Sequence, residues 1–378
     1  MTDLAILNYS LEGTGTVAKS IEIATATRIN NIETEIWAIF TQGKLRKHVP
    51  ADCPVVSIGT ERKFRTRGIG LMMHIPALAR TIKDRKPKIL MSAGNHFHIA
   101  AWLALKLSGQ RRRTIFITRA SNSSQRQGRP PLHPLVIIQN WMKYAGADKI
   151  VSVCEELSEE IRCAVPRKSV LTIANGVDVE RVLRLRKEKM EHFFFKDANA
   201  PDKAPVIVTM GRLSRQKGFD LLIKAIAALP EKINAKLIII GEGPDPVRIR
   251  LKKLATALNV EKKIDFYGYC SNPFPLISQA DIFVCSSRWE GASNTLMEAL
   301  LCDVGIVATN CPTGNREIIN NVGRGTLAEN NNYRSISESI IKELNRNFKL
   351  ENYIDYINSK YSIKSCTEKW NDLFITLK

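Results

Sequence analysis

Short runs of β-branched and aliphatic residues alternate with longer amphipathic stretches along the chain. Residues 4–8 (LAILN), 34–40 (TEIWAIF), 54–58, 88–92, 114–118 and 149–154 have the continuous apolar character of strands buried on both faces. Between them, 17–29, 69–82 and 98–107 space their apolar residues at helical intervals. Strands separated by helices predict parallel βαβ units, with helices covering both faces of a sheet. The alternation breaks between 179 and 204, where 181–189 is charge-rich and 197–205 (DANAPDKAP) has linker composition. A second series then predicts strands at 206–210, 236–241, 264–268, 281–286 and 305–309. The expected fold class is therefore α/β: two facing, doubly wound, Rossmann-like domains over 1–200 and 201–352. A helical segment, 353–378, belongs to neither series. Ligands in such folds sit outside the carboxyl ends of the strands, so function is sought in the loops that follow them.

Composition sharpens this picture only in its charge. The chain has 378 residues, 44% hydrophobic and 25% charged, which excludes a disordered or collagenous chain. No stretch approaches the roughly 20 apolar residues of a membrane span, and MTDLAILNYSLEG lacks the basic start and apolar centre of a signal peptide. Eight cysteines without C-x-x-C spacing read as free thiols of a reducing cytoplasm. The net charge is +19, of which +14 falls in 1–200. From Arg62 to Lys143 there are 17 basic residues and one acid, Asp84. Such a surface attracts polyanions: anionic lipid, nucleic acid or a phosphorylated substrate. The bland alternative is a solvated basic face.

Two loops of the second series carry candidate chemistry. Gly211-Arg212-Leu213-Ser214-Arg215-Gln216-Lys217-Gly218 leaves a strand and enters a helix. Amides and the dipole at a helix start favour anions; Arg212 adds a planar fork for phosphate oxygens and Lys217 a mobile point charge. Two cations there suit a diphosphate, although a loop of incidental charge reads the same way when taken alone. The second loop is Ser287-Arg288-Trp289-Glu290-Gly291-Ala292-Ser293-Asn294-Thr295, running into Leu296-Met297-Glu298. Glu290 is a loop carboxylate, and Gly291 permits close backbone approach. Ser293 or Asn294 can cap the helix, whose first amides near Asn294 and Thr295 lack helical acceptors. Glu298 follows in the second turn. One carboxylate can bond a sugar's hydroxyls and the other those of a ribose, with phosphates on the amides between.

Taken together, GRLSRQKGFDLLIKA (211–225), GEGP (241–244), FYGY (266–269), ADIFVCSSRWEGASNTLMEAL (280–300) and ATNCPTGNREII (308–319), with ANGVD (174–178), resemble the retaining family 4 glycosyltransferases of GT-B architecture. The resemblance implies that Arg212 and Lys217 hold a donor diphosphate and Glu290 faces the donor sugar, making these three the catalytic set. It implies that Gly291, Ala292, Ser293, Asn294 and Thr295 contact sugar hydroxyls and phosphate, Glu298 the ribose, and Gly268 and Tyr269 the base. Gly13 and Gly15 would bring the first domain's backbone over the phosphates, that domain would take the acceptor, and the terminal helix would cross back onto it. The implied donor is a nucleotide-sugar, with a UDP-linked hexose or N-acetylhexosamine first and GDP-mannose second. The implied acceptor is a lipid-linked saccharide or a surface polysaccharide precursor. Retention implies same-face attack, with the departing phosphate taking the acceptor's proton.

The sequence contains no Asp-x-Asp, so neither a metal nor another cofactor is expected. The histidine that many relatives carry after the fifth strand is missing from Thr118-Arg119-Ala120-Ser121-Asn122. His96, His98, Ser121 and Asn122 are the alternatives for sugar or acceptor contacts. Cys302-Asp303-Val304-Gly305-Ile306 replaces the family's Cys-Gly-x-Pro-Val, with Asp303 tolerating left-handed geometry in place of glycine. Gly13-Thr14-Gly15 with Ala18 is a weak dinucleotide fingerprint, since Ala is allowed at the third position and an NAD-dependent oxidoreductase stays formally possible, but no acid at Ala38-Ile39-Phe40 is there to bind a ribose. Arg62, Lys63, Arg65 and Arg67 precede Ile69, Leu71, Met72, Met73, Ile75 and Leu78, and Arg111-Arg112-Arg113 forms a second basic loop. This predicts peripheral contact with anionic lipid on the cytoplasmic face of the inner membrane, with core packing as the alternative for the apolar residues. Nucleic acid is not expected as a partner, since stacking aromatics and zinc modules are missing.

Overall fold

The computed structural model describes residues 2–59, 67–124, 132–195, 203–346 and 353–377. In chain order its elements begin β1 (Leu4–Ser10), α1 (Gly15–Ile29), β2 (Thr34–Phe40), β3 (Val55–Ser57), α2 (Arg67–Met73), α3 (Ile75–Arg85), β4 (Ile89–Ser92) and α4 (His98–Leu107). Then come β5 (Ile115–Ala120), α5 (Pro134–Tyr144), β6 (Lys149–Ser152), α6 (Glu155–Ala164), β7 (Ser169–Thr172) and α7 (Val179–Leu185). The second series is β8 (Val206–Met210), α8 (Phe219–Ala227), β9 (Lys236–Ile240), α9 (Asp245–Ala257), β10 (Ile264–Gly268), α10 (Phe274–Gln279), β11 (Ile282–Cys285) and α11 (Asn294–Leu301). It closes with β12 (Gly305–Thr309), α12 (Asn315–Val322), β13 (Thr326–Ala328), α13 (Tyr333–Leu344), α14 (Tyr353–Tyr361) and α15 (Ile363–Leu377).

The chain divides into two compact units. The first holds Met1–Gly176 and Ile363–Lys378, the second Val177–Ser362. The sequence pattern put the boundaries near 200 and 352. They fall earlier at the first crossing because the charge-rich segment after α7 packs on the second unit: Arg186 Nη1 donates to the Leu301 carbonyl at 2.5 Å, and the Leu185 and Arg186 carbonyls accept from Asn272 and Ser278. The linker stretch 196–202 lies outside the described residues.

Each unit is one parallel sheet with helices on both faces. The first sheet runs β3-β2-β1-β4-β5-β6-β7 and the second β10-β9-β8-β11-β12-β13. Strand order reverses beside β1 and β8, which places the loops after β1, β4, β8 and β11 at the switch points. The central strands are buried along almost their whole length, which is why they read as apolar runs, whereas β3, β7 and β10 are only partly buried. Leu4, Ile6, Ile36, Ile89 and Met91 form the centre of one core; Ile207, Leu237, Ile239, Ile282 and Val284 form that of the other. In the first unit α15 packs on α1, inserting Trp370 and Phe374 into the core.

Two long helices of the sequence reading are each broken in two. The 69–82 run splits at His74 because Pro76 opens a new helix, while the His74 ring closes on the Gly70 carbonyl at 2.6 Å. The 353–377 run splits at Ser362, which bridges to Val177. Two short strands, β7 and β13, had no place in the sequence reading.

Candidate active site

In the second unit the ends of β8, β9 and β10 are drawn together by backbone contacts. The Gly211 amide donates to Ile240 O at 2.9 Å, Leu213 N to Glu242 O at 2.8 Å, and Gly241 N to Gly268 O at 2.7 Å. A Cβ at Gly241 would fall on the Gly211 carbonyl oxygen, and one at Gly218, where φ is +63°, on that of Ser286. Glycine is required at both places by close approach. Lys217 therefore enters the site along a fixed path, its side-chain carbons lying over Gly211.

Lys217 Nζ meets Glu290 Oε1 at 2.8 Å. Ser287 Oγ donates to the same oxygen at 2.6 Å, and Gln216 Nε2 stands 3.4 Å from Oε2. Oε2 thus retains most of its acceptor capacity. The Glu290 backbone is held as firmly: its amide donates to Pro312 O at 2.8 Å, and its carbonyl accepts from Thr313 Oγ1 at 3.0 Å. Burial pulls the Lys217 ammonium down, but the Glu290 carboxylate more than offsets it, with smaller help from Cys285 and Cys311. The pKa stands above the ordinary lysine value. The cation is thus present throughout the physiological range.

Gly291 to Thr295 continue from Glu290 into α11. Ser293 occupies the cap position but its side chain does not cap; Oγ lies 3.1 Å from Thr295 Oγ1 and 3.7 Å from Cys285 Sγ. Among the described residues no acceptor meets the amides of Thr295 and Leu296. Glu298 follows, half-buried, in the second turn. Arg212 is exposed and meets no hydrogen-bond or ion-pair partner among the described residues. At the end of β10, Gly268 has φ +86° with open space beside it, and Tyr269 is 70% exposed. Asp303 adopts φ +59°, the left-handed geometry expected where the family has glycine, and pairs with Arg324 at 2.8 Å.

In the first unit Gly13 and Gly15 are exposed on either side of Thr14, whose hydroxyl accepts from Val17 N at 3.4 Å and caps α1. Asn95 ties the loops after β4 and β5 together: its Oδ1 accepts from Ser121 N at 3.0 Å, and its Nδ2 donates to Asn122 O at 2.9 Å. His96 is exposed beside the Tyr9 ring. His98 differs from expectation: it is fully buried, with Nδ1 2.8 Å from Ser92 Oγ and its ring packed on Tyr144. Facing inward as the first residue of α4, it does not present its ring to a surface ligand. The next loop turns around Glu160, which is 1% exposed and accepts from Ser123 Oγ, Ser124 N and Asn140 Nδ2.

Residues 190–360, which contain all of the second unit's groups, match the family described as glycosyl transferases group 1. Residues 20–181 match glycosyltransferase family 4. The chain belongs to the family 4 glycosyltransferases. A Campylobacter jejuni relative is 26% identical over 351 residues, covering 90% of this chain and 89% of its own. Its name is N-acetylgalactosamine-N,N'-diacetylbacillosaminyl-diphospho-undecaprenol 4-alpha-N-acetylgalactosaminyltransferase. An uncharacterised glycosyltransferase of Methanocaldococcus jannaschii is 28% identical over 252 residues, 64% of this chain and 60% of that protein's length. Anabaena HepE, solved in complex with UDP, has the same fold at a TM-score of 0.74 and 15% identity, over the whole of both chains.

The glycosyltransferase also has supporting residues that the sequence reading passed over. Ser287 and Gln216 hold Glu290. Arg288 fixes the two loops to each other through a bidentate pair with Asp220 (2.7 and 2.8 Å) and through its amide, which donates to Gln216 O at 2.7 Å. Gly314, φ +84°, lets α12 start against the Gly291 carbonyl. A cation two residues before a loop carboxylate was visible in sequence, but its partner on another loop was not.

Proposed function

We propose that this glycosyltransferase moves a hexosyl or N-acetylhexosaminyl group from a nucleoside diphosphate sugar, UDP-linked, to a lipid-linked saccharide or a surface polysaccharide precursor, with retention of configuration and without a metal. The observation that carries the reading is the fixed Lys217–Glu290 pair beside the α11 start. The C1–oxygen bond to the β-phosphate breaks and its electrons stay on the phosphate. Lys217, Arg212 and the Thr295 and Leu296 amides stabilise that charge in place, so no reorganisation is needed as it develops. Glu290 Oε2 accepts from a sugar hydroxyl and orients the ring, and Glu298 accepts from the ribose. The acceptor oxygen bonds C1 from the same face, and its proton passes to the departing phosphate oxygen. Gly268 and Tyr269 border the base, and Gly13, Gly15, His96, Ser121 and Asn122 supply the first unit's contacts. The diphospho-undecaprenol and N-acetylgalactosaminyl parts of the C. jejuni relative's name support the acceptor and sugar classes, and the UDP of the Anabaena complex supports the base. The enzyme acts peripherally at the cytoplasmic face of the inner membrane, a location that the diphospho-undecaprenol of the C. jejuni relative's name supports.

A panel of UDP-, GDP- and ADP-sugars tests this. Hydrolysis of a UDP-N-acetylhexosamine or UDP-hexose above all others is the expected result. Preference for GDP-mannose overturns the donor assignment, and turnover of none overturns the reading.

A further inference from the structure

The first unit exposes one apolar surface that its own core does not explain. On α5, Val136, Asn140 and Tyr144 are buried at four-residue spacing and make the inner face. The opposite arc carries Leu135, Ile138, Trp141 and Met142, exposed by 45%, 52%, 58% and 54%, and Leu132 just before the helix is 70% exposed. Gln139 is the polar residue on that arc. Lys143, the helix's own cation, turns inward to donate to Ser124 Oγ at 2.6 Å, leaving the outer face uncharged. Five large apolar side chains on three turns are more than scattered surface residues, and a patch of this kind marks an interaction site.

The charge of the rest of that sheet face selects among the partners that could cover it. Helices α3, α4, α5 and α6 pack side by side, and α2 packs on α3. Next to α5 this row exposes Leu107 on α4, and at its far end Met72 and Met73 on α2. The exposed cations of this row and its loops include Arg80, Lys83, Arg85, Lys86, Lys106, Arg112, Arg113 and Arg162, against the exposed acids Asp84 of α3 and Glu155 and Glu159 of α6, which leaves an excess of positive charge. A second copy of the chain would bring the same excess positive charge against itself, whereas an anionic bilayer neutralises it and takes the apolar side chains into its interface. The helix also starts at the carboxyl edge of the sheet, next to the loop of Ser121 and Asn122.

We propose that the outer face of α5 is the membrane-docking surface, lying in the headgroup region of an anionic bilayer with Leu132, Leu135, Ile138, Trp141 and Met142 inserted. This rests on the reading that the acceptor is lipid-linked, and it centres the contact on α5 rather than on the segment the sequence suggested, of which Met72 and Met73 are exposed at the far end of the row. In that segment Leu71, Ile75 and Leu78 are buried in the core, while Arg62, Lys63 and Arg65 and the side chains of Arg67 and Ile69 lie outside the described residues.

Sedimentation of the full chain with phosphatidylcholine vesicles, with and without phosphatidylglycerol, tests the proposal against the variant Leu135→Gln/Ile138→Gln/Met142→Gln. The expected result is binding to the anionic vesicles, at least about tenfold weaker in the variant, with donor hydrolysis in solution unchanged. Trp141 fluorescence shifts to the blue on binding, and Trp141→Phe abolishes the shift. Equal partition of variant and wild type overturns the proposal, as does equal binding to neutral vesicles. So does a wild-type dimer that the variant converts to monomer without any vesicle binding. Loss of donor hydrolysis in the wild type would instead count against the transferase reading, since that assay contains no lipid.

Discussion

The two units solve one problem, fixing loops at the carboxyl edge of a parallel sheet, by different means. In the second, loops after three strands are locked by close backbone approach at glycines, and an ion pair closes the arrangement. In the first, Asn95 ties the loops after β4 and β5 through its amide group, and the buried Glu160 carboxylate of α6 holds the second of them through uncharged donors. On the proposed reading, the ion pair of the second unit holds a cation ready where a leaving phosphate develops charge. On the same reading, the amides and hydroxyls tied by Asn95 offer uncharged donors and acceptors to hydroxyl groups. Substitutions in the second unit should therefore act chiefly on turnover and donor binding, and those in the first chiefly on stability or attachment.

The strongest break in that contrast comes from Lys217→Ala, which removes the cation and strands Glu290. Turnover of the preferred donor should fall by about 10²–10³, on the order of 3–4 kcal/mol of barrier. Steady-state hydrolysis measures it, and a kcat within twofold of wild type contradicts the assignment. Gly218→Ala tests whether the lock is steric: a Cβ there meets the Ser286 carbonyl in a left-handed backbone. About 1–3 kcal/mol of stability should be lost, read as a lower unfolding midpoint in urea. Glu298→Ala should weaken donor binding by about tenfold, roughly one charged hydrogen bond, with thermal stability little changed; calorimetric titration with the nucleotide-sugar reads it.

The first unit offers a weaker, pH-dependent effect. Burial, then the charges of Lys143 and His96, hold the His98 pKa well below 6.5. Below pH 6.5 the unfolded chain binds a proton that the folded chain refuses. His98's contribution is thus fully present above 6.5 and is lost as pH falls toward the folded pKa, by at most about 1.4 kcal/mol per pH unit. Urea midpoints at pH 7 and pH 5 should converge more closely in His98→Asn than in wild type. Equal slopes in both proteins contradict a neutral buried ring.

The strand pattern was readable from sequence because strands buried on both faces leave apolar runs; 34–40, 206–210 and 305–309 match the structure residue for residue, and so does the partly buried edge strand 264–268. The short β7 and β13 carry too few residues for such a signal. The breaks at His74 and Ser362 were hidden because apolar spacing continues across them, although Pro76 marked the first. Lys217, Glu290 and the α11 start were legible as a local motif. Their joint geometry was not, since Ser287, Gln216 and Pro312 act through contacts between loops. His98 was misplaced because alternation along a loop does not tell which of two nearby histidines faces inward.

The most direct test is a crystal structure with a non-hydrolysable UDP-sugar bound. The account predicts the diphosphate within hydrogen-bond reach of Lys217 and the Thr295 amide, with a sugar hydroxyl on Glu290 Oε2. A nucleotide seated elsewhere, or a Lys217 turned from its phosphates, would contradict it.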